Sequence, residues 1–263
     1  MLSFDDLKTG LGKLGLKNNP VIAHVSLKSF GMIEGGAQTL LRAVIDSVDA
    51  LIMPAFTYKT MVTPASGPTN NGITYLVNEN SNALAEPFTL DMPCDPMMGI
   101  VSETLRLHPA SKRTSHPIQS FAGVHADDFL AAQTLHNPLG VIEALAQANG
   151  WALLLGVDHT VNTSIHAAEK IAGRKQFTRW ALTPTRIVEC PNFPGDSSGF
   201  EAIAPDLESD IRRIQIGNAI VQAMPLKVLF LAVIARIKED PLALLCQRDD
   251  CERCNAVRNL ENK

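Results

Sequence analysis

The 263-residue sequence contains no apolar run approaching the roughly 20 residues needed to span a bilayer as a helix. Its best candidate, Pro225 to Ile237, is too short and ends in charge. The stretch "MLSFDDLKTG" carries two aspartates before its first lysine and has no long apolar core, so it does not read as a secretory signal. A cytoplasmic protein is expected, with no membrane partner. A basic stripe is also missing. The 23 Lys and Arg are scattered among 27 Asp and Glu, for a net charge of −4, which excludes an obvious nucleic-acid footprint. The slight acidity is compatible with a cationic ligand. Five cysteines, unevenly placed, do not make a disulfide framework. No P-loop occurs. With no repeat and no low-complexity linker, residues 1–263 read as one domain, long enough to bury a core without staples.

What is present is an alternation of strands and helices. Ser3 is placed to cap a helix carrying Leu7, Leu11 and Leu14 on one face. "VIAHV" (21–25) reads as a buried strand, a Gly-rich loop and an amphipathic helix follow, and "ALIMPAF" (50–56) is the next strand. Residues 64–82 form a long polar loop, and "PMMGIVSETLRLHP" reads as a helix with Pro96 in its first position. "IQSFAGV" (118–124) and "WALLLGV" (151–157) are strands, with "GVIEALAQANG" a helix between them. Residues 176–189 suggest an antiparallel hairpin, while 208–223 and 231–245 look helical. The order predicts an α/β fold with a central sheet flanked by helices.

Four groups of residues are candidates for chemistry. "HVSLKSFGMIEGGAQTLL" places Gly31, Gly35 and Gly36 before a helix, where backbone N–H groups and the helix dipole favour an anion; the plainer reading is a tight turn. "KRTSHPIQSF" bunches Lys112, Arg113, Ser115 and His116, either as an anion site or as a solvated charge cluster. "NTSIHAAEK" sets His166 and Glu169 one helical turn apart, directly after the clearest strand. A surface ion pair is the plain interpretation. A base with its orienting carboxylate is the alternative, because α/β active sites gather at strand ends beside helix N-termini. Finally, Cys246, Cys251 and Cys254 form C-x4-C-x2-C, which fits a structural zinc if a fourth ligand exists. Cys190 is the expected fourth ligand and Cys94 the alternative; free thiols are the plain reading.

Taken in order, these blocks resemble the antibiotic N-acetyltransferases, the family that includes the aminoglycoside 3-N-acetyltransferases. The resemblance rests on "HVSLKSFGMIEGGAQTLL", "LIMPAFT", "PFTLDMPCDPMMGIVSETLR", "KRTSHPIQSFAGV", "LLLGVDHTVNTSIHAAE" and "ECPNFPGDSSGFEAI", spanning about residues 20–200. It implies a mixed-sheet α/β fold unlike the GCN5-like acetyltransferases, with acetyl-CoA as cosubstrate and a small cationic amine as acceptor. It places His24, Ser26, Lys28, Ser29, Gly31, Gly35, Gly36, Arg113, Ser115 and Ser120 along the coenzyme. His166 becomes the general base and Glu169 its partner. Thr163 is the candidate oxyanion donor. Thr57, Glu79, Asp91, Glu103 and Asp158 are the candidates for lining an acceptor pocket. A homodimer is left open. The sequence departs from the family pattern at Leu27, where a second Ser is usual, and in "PFTLD", where Asp91 stands out of register. The chemistry agrees: an amine must lose a proton to attack a thioester, and an imidazole suits that step. Two other classes compete. One is a hydrolase using Ser26 or Ser115 with His166; the other is a zinc-stabilised binding protein.

Overall fold

The computed structural model describes residues 1–75 and 82–261. Ten strands are found among them: β1 (Pro20–Val25), β2 (Ala50–Pro54), β3 (Met61–Val62), β4 (Lys112–Arg113), β5 (Phe121–Val124), β6 (Trp151–Leu155), β7 (Phe177–Leu182), β8 (Ile187–Phe193), β9 (Arg212–Ile216) and β10 (Ala219–Pro225). Seven form one sheet in the order β4-β5-β2-β1-β6-β10-β9. β1 runs parallel to β2 and β6, and the remaining pairs are antiparallel, so the sheet is mixed, as expected. A second sheet, β3-β7-β8, contains the expected antiparallel hairpin.

The helices are α1 (Phe4–Gly12), α2 (Gly36–Ile45), α3 (Gly99–Arg106), α4 (Asp127–Leu130), α5 (Gly140–Gln147), α6 (Thr163–Ile171), α7 (Ala204–Leu207), α8 (Leu226–Glu239) and α9 (Glu252–Glu261). Side chains alternate across a strand, so the central strands feed two cores. Val21, Ala23, Leu51 and Leu153 pack with Leu7 and Leu11 of α1, Leu40 and Val44 of α2, and Leu105 of α3. Ile22, Ile52, Ala152 and Leu154 pack instead with Leu145 of α5, Ile165 and Ala168 of α6, and Leu229 and Val233 of α8. His24 shares the parity of Ile22 and therefore emerges beneath α6. A third, smaller cluster joins Phe177, Phe193 and Cys190 of the second sheet to Ala256 and Val257 of α9.

Several local expectations are met. Ser3 caps α1, accepting from the Asp6 N–H at 3.2 Å, while Asp6 returns a bond to the Ser3 N–H at 2.9 Å. This is a capping box built with Asp. Two are corrected. Pro96 opens a short 3-10 turn, Pro96–Met98, and the α-helix proper begins at Gly99. Residues 208–223 are not a helix. They lead into the β9–β10 hairpin, in which Ile216 opposes Ala219 across the two-residue loop Gly217-Asn218. Gly217 adopts φ 58°, and a Cβ there would lie 2.6 Å from the Phe30 carbonyl oxygen. The period-2 pattern "RIQI-GN-AIVQA" around that loop outweighs the helical propensity of its Arg, Gln and Ala residues.

Candidate active site

β6 ends at Leu155, and Gly156, at φ 69°, turns the chain. The Ser29 hydroxyl donates to the Gly156 carbonyl at 2.7 Å, tying the segment after β1 to this turn. Asp158 caps the 3-10 turn His159–Val161 by accepting from the Thr160 N–H. Asn162 then caps α6, accepting from the Ser164 N–H at 3.2 Å. The Thr163 N–H donates elsewhere, to Nε2 of His24 at 3.3 Å. Burial pushes the His24 pKa down to about 3, so this imidazole is neutral and acts as an acceptor. The backbone N–H of Thr163 is therefore engaged, and only its hydroxyl is left for another role.

One turn into α6, His166 Nδ1 lies 2.8 Å from Oε2 of Glu169. Glu169 is 2% exposed, and its Oε1 lies 3.3 Å from Nη1 of Arg174. An ionised carboxylate only accepts hydrogen bonds, so the proton of a neutral His166 resides on Nδ1 and the lone pair on Nε2. Among the described residues, no hydrogen-bond partner meets Nε2. The ring packs edge-on against Phe200, with centroids 4.6 Å apart. This is not a solvated surface pair: both side chains are buried, and His166 lines a cleft.

That cleft has a volume of about 590 Å³. One wall is the end of β1 and the residues after it, with His24, Ser26 and Lys28. A second is the start of α3, Met97 to Ser102, where Gly99 takes φ 78°. A third is the loop Phe193–Ser198, joined by Arg253 of α9. Thr163 and His166 complete the site. The α3 entry, the Phe193–Ser198 loop and Arg253 were not anticipated from the sequence. They lie far from His166 along the chain, and apart from the resemblance blocks that contain the first two, their local signal is turn chemistry such as Pro194-Gly195-Asp196-Ser197.

The other expected site residues are distributed as follows. Arg113 donates to the carbonyls of Ala55 (2.7 Å), Leu90 (3.0 Å) and Met92 and to the Ser120 hydroxyl, while the Ser120 hydroxyl donates to the Ala55 carbonyl. This pair holds strand ends and the 88–92 segment together and is not on the cleft lining. Ser115 is exposed and outside the cleft. His116 shapes its block into a turn, accepting at Nδ1 from the Ile118 and Gln119 N–H groups; burial lowers its pKa to about 4. Gly31, Gly35 and Gly36 all adopt positive φ but do not line the cleft.

On the expected acceptor side, Thr57 is buried and donates to the Pro117 carbonyl. Glu103 binds Arg106 through both oxygens and accepts from the Cys94 N–H. Burial opposes its ionisation, but these bonds prevail and hold its pKa at about 2. Asp91 and Asp158 are exposed and off the cleft lining. Glu79 lies outside the described residues. The carboxylate that does line the cleft is Asp196, already paired with Arg248 at 3.2 Å and Arg253 at 3.4 Å.

The cysteine expectation is corrected in one member. The atoms that converge are the sulfurs of Cys246, Cys251 and Cys254 and a carboxylate oxygen of Asp196, all within 4.8 Å of one another. Cys190 is buried on β8 and is not part of this group, and Cys94 lies beside Glu103.

Comparison with known proteins agrees with this geometry. The family model described as aminoglycoside 3-N-acetyltransferase matches residues 22–238. The chain belongs to that family. An aminoglycoside N(3')-acetyltransferase-like protein of Bacillus subtilis (strain 168) is 31% identical over 189 residues, 67% of this chain and 67% of its own length. Aminoglycoside N(3)-acetyltransferase IV of Salmonella sp is 28% identical over 160 residues. The matched stretch covers 58% of this chain and about half, 52%, of that relative. Among solved structures, the binary complex of AAC-IIIb with CoASH superposes with a TM-score of 0.74 at 21% identity, covering 90% of this chain and 97% of that one. The shared fold is therefore established across nearly the whole chain. No helix among the described residues is long and apolar enough to cross a membrane.

Proposed function

We propose that this protein transfers the acetyl group of acetyl-CoA to a substrate amine, with His166 as general base. The carrying observation is the buried Glu169–His166 pair, whose free Nε2 faces the cleft. The neutral amine attacks the thioester carbonyl. A C–N bond forms, the amine proton passes to Nε2, the C–S bond breaks and the coenzyme leaves as a thiol once that proton is returned. Glu169 fixes the ring tautomer and balances the imidazolium charge, and Arg174 fixes Glu169. Direct transfer needs no protein nucleophile. Ser26 lines the cleft, but among the described residues no hydrogen bond joins it to His166, which favours acyl transfer over a serine-dependent hydrolase.

The coenzyme suits the wall formed by Ser26, Lys28 and the first turn of α3. Lys28 supplies positive charge there, and the unpaired N–H groups of a helix N-terminus attract phosphate. The thiol would then lie toward His166. Thr163 contributes its hydroxyl to the oxyanion.

The acceptor proposed from the family is an aminoglycoside, acetylated at its 3-amino group. A second reading, an amine of lower charge, is favoured by the lining itself. Among the described residues, Asp196 is the carboxylate on the cleft, and two arginines already neutralise it. Release of free thiol from acetyl-CoA in the presence of an aminoglycoside panel, and separately of mono- and diamines, decides between them. No thiol release with any amine rejects acetyl transfer.

A further inference from the structure

We infer that Cys246, Cys251, Cys254 and Asp196 form a tetrahedral binding site for one zinc ion, which clamps the C-terminal helix to the cleft wall. The three cysteines come from one short stretch: Cys246 after α8, Cys251 directly before α9, and Cys254 within its first turn. Asp196 comes from the loop after β8, some fifty residues earlier in the chain. Their four donor atoms converge within 4.8 Å. A tetrahedral zinc at about 2.3 Å from sulfur and about 2.0 Å from oxygen separates its ligands by about 3.5–3.8 Å, so a small inward shift of each side chain closes the shell.

Three further features fit a metal better than a cluster of thiols. No disulfide joins these cysteines, although all three are buried together. Three thiolates and a carboxylate around a divalent ion carry a net charge of −2, and Arg248 and Arg253 already sit against Asp196 with two compensating charges. Arg258 also donates to the Cys246 carbonyl, fixing the backbone of the first ligand. Soft thiolate ligands select zinc over magnesium or calcium, and four protein ligands leave no open position for catalysis.

The consequence reaches the cleft. Asp196 belongs to the Phe193–Ser198 wall, and Arg253, between Cys251 and Cys254, lines the same cavity. The ion thus joins the two segments of that wall, the loop after β8 and the start of α9, which no continuous strand or helix connects. The metal site stands whether or not acetyl transfer is the activity, and its test is independent of turnover.

The experiment measures metal in the full-length protein, purified without a metal-binding tag. Elemental analysis should give one zinc per chain. Cys251→Ser and Cys254→Ser should each reduce it to below a tenth, and Asp196→Asn should weaken retention against a chelator at least tenfold. Cys190→Ser and Cys94→Ser should keep full zinc. Because a cysteine variant can fail to fold, the wild type is also stripped and reloaded with cobalt(II). Intense thiolate-to-cobalt charge transfer and tetrahedral d–d bands, abolished by added zinc, are expected. Absence of both zinc and the cobalt spectrum, a disulfide among the three cysteines, or undiminished zinc in Cys251→Ser and Cys254→Ser would overturn the assignment.

Discussion

Glu169→Gln probes the His166 site through its least solvated member. Glu169 is 2% exposed and uses both oxygens, one on His166 Nδ1 at 2.8 Å and one on Arg174 Nη1 at 3.3 Å. Glutamine retains the shape but removes the charge, so the buried Arg174 guanidinium loses its ion pair with Glu169. Breaking a buried pair in this way costs about 3–5 kcal/mol. At about 2–4 °C per kcal/mol for a domain of this size, the melting temperature should fall by roughly 6–20 °C. Arg174→Met removes the other charge, and the double variant should be less destabilised than the sum of the singles by about 1–3 kcal/mol. The same substitution should also lower kcat, measured well below the new melting temperature, by one to two orders of magnitude, because the imidazolium formed in the transition state loses its balancing charge. Arg174→Met should change kcat much less. Chemical denaturation with four proteins, followed by steady-state kinetics, tests the cycle. A Glu169→Gln protein with wild-type stability and turnover within twofold would refute the reasoning.

Two other predictions concern residues that support the site. His24 has its pKa depressed from the usual 6.5 to about 3 by burial, so between those values the unfolded chain binds the extra proton. Stability is therefore complete above about pH 6.5 and falls by about 1.4 kcal/mol per pH unit below it, until about pH 3. His24→Gln, which can still accept from the Thr163 N–H, should flatten that part of a pH–stability curve measured by denaturant titration. Arg113→Ala should destabilise the fold by on the order of 3 kcal/mol, since the carbonyls of Leu90 and Met92 lose the Arg113 donor and that of Ala55 keeps only Ser120. Its affinity for coenzyme A, measured by calorimetry below the melting temperature, should stay within threefold of wild type.

Much of the framework was legible because burial imposes periodicity. The β1–α2–β2 run, β6, the β7–β8 hairpin and the placement of His166 and Glu169 at the start of α6 all follow from apolar spacing and turn residues. The β9–β10 hairpin was misread because Arg, Gln and Ala suit a helix, and only the Gly217-Asn218 loop with its period-2 flanks signals otherwise. Side-chain direction was the harder quantity. Arg113, Ser120, Thr57 and Glu103 carry the chemistry expected of ligand contacts, yet their polar atoms meet neighbouring backbone or Arg106. A sequence states which charges exist but not which internal partners take them. Asp196 was missed for the opposite reason: within "FPGDSSG" it reads as a turn residue, and only the fold brings it to both the cleft and the cysteines.

The central claim is that His166 removes the proton from the attacking amine. It is tested most directly by the rate of thiol release from acetyl-CoA by His166→Ala, using the best amine of the panel, with coenzyme binding followed in parallel by thermal shift. The account predicts a loss of at least about a hundredfold in kcat with coenzyme-induced stabilisation preserved. Turnover within a few-fold of wild type would contradict it.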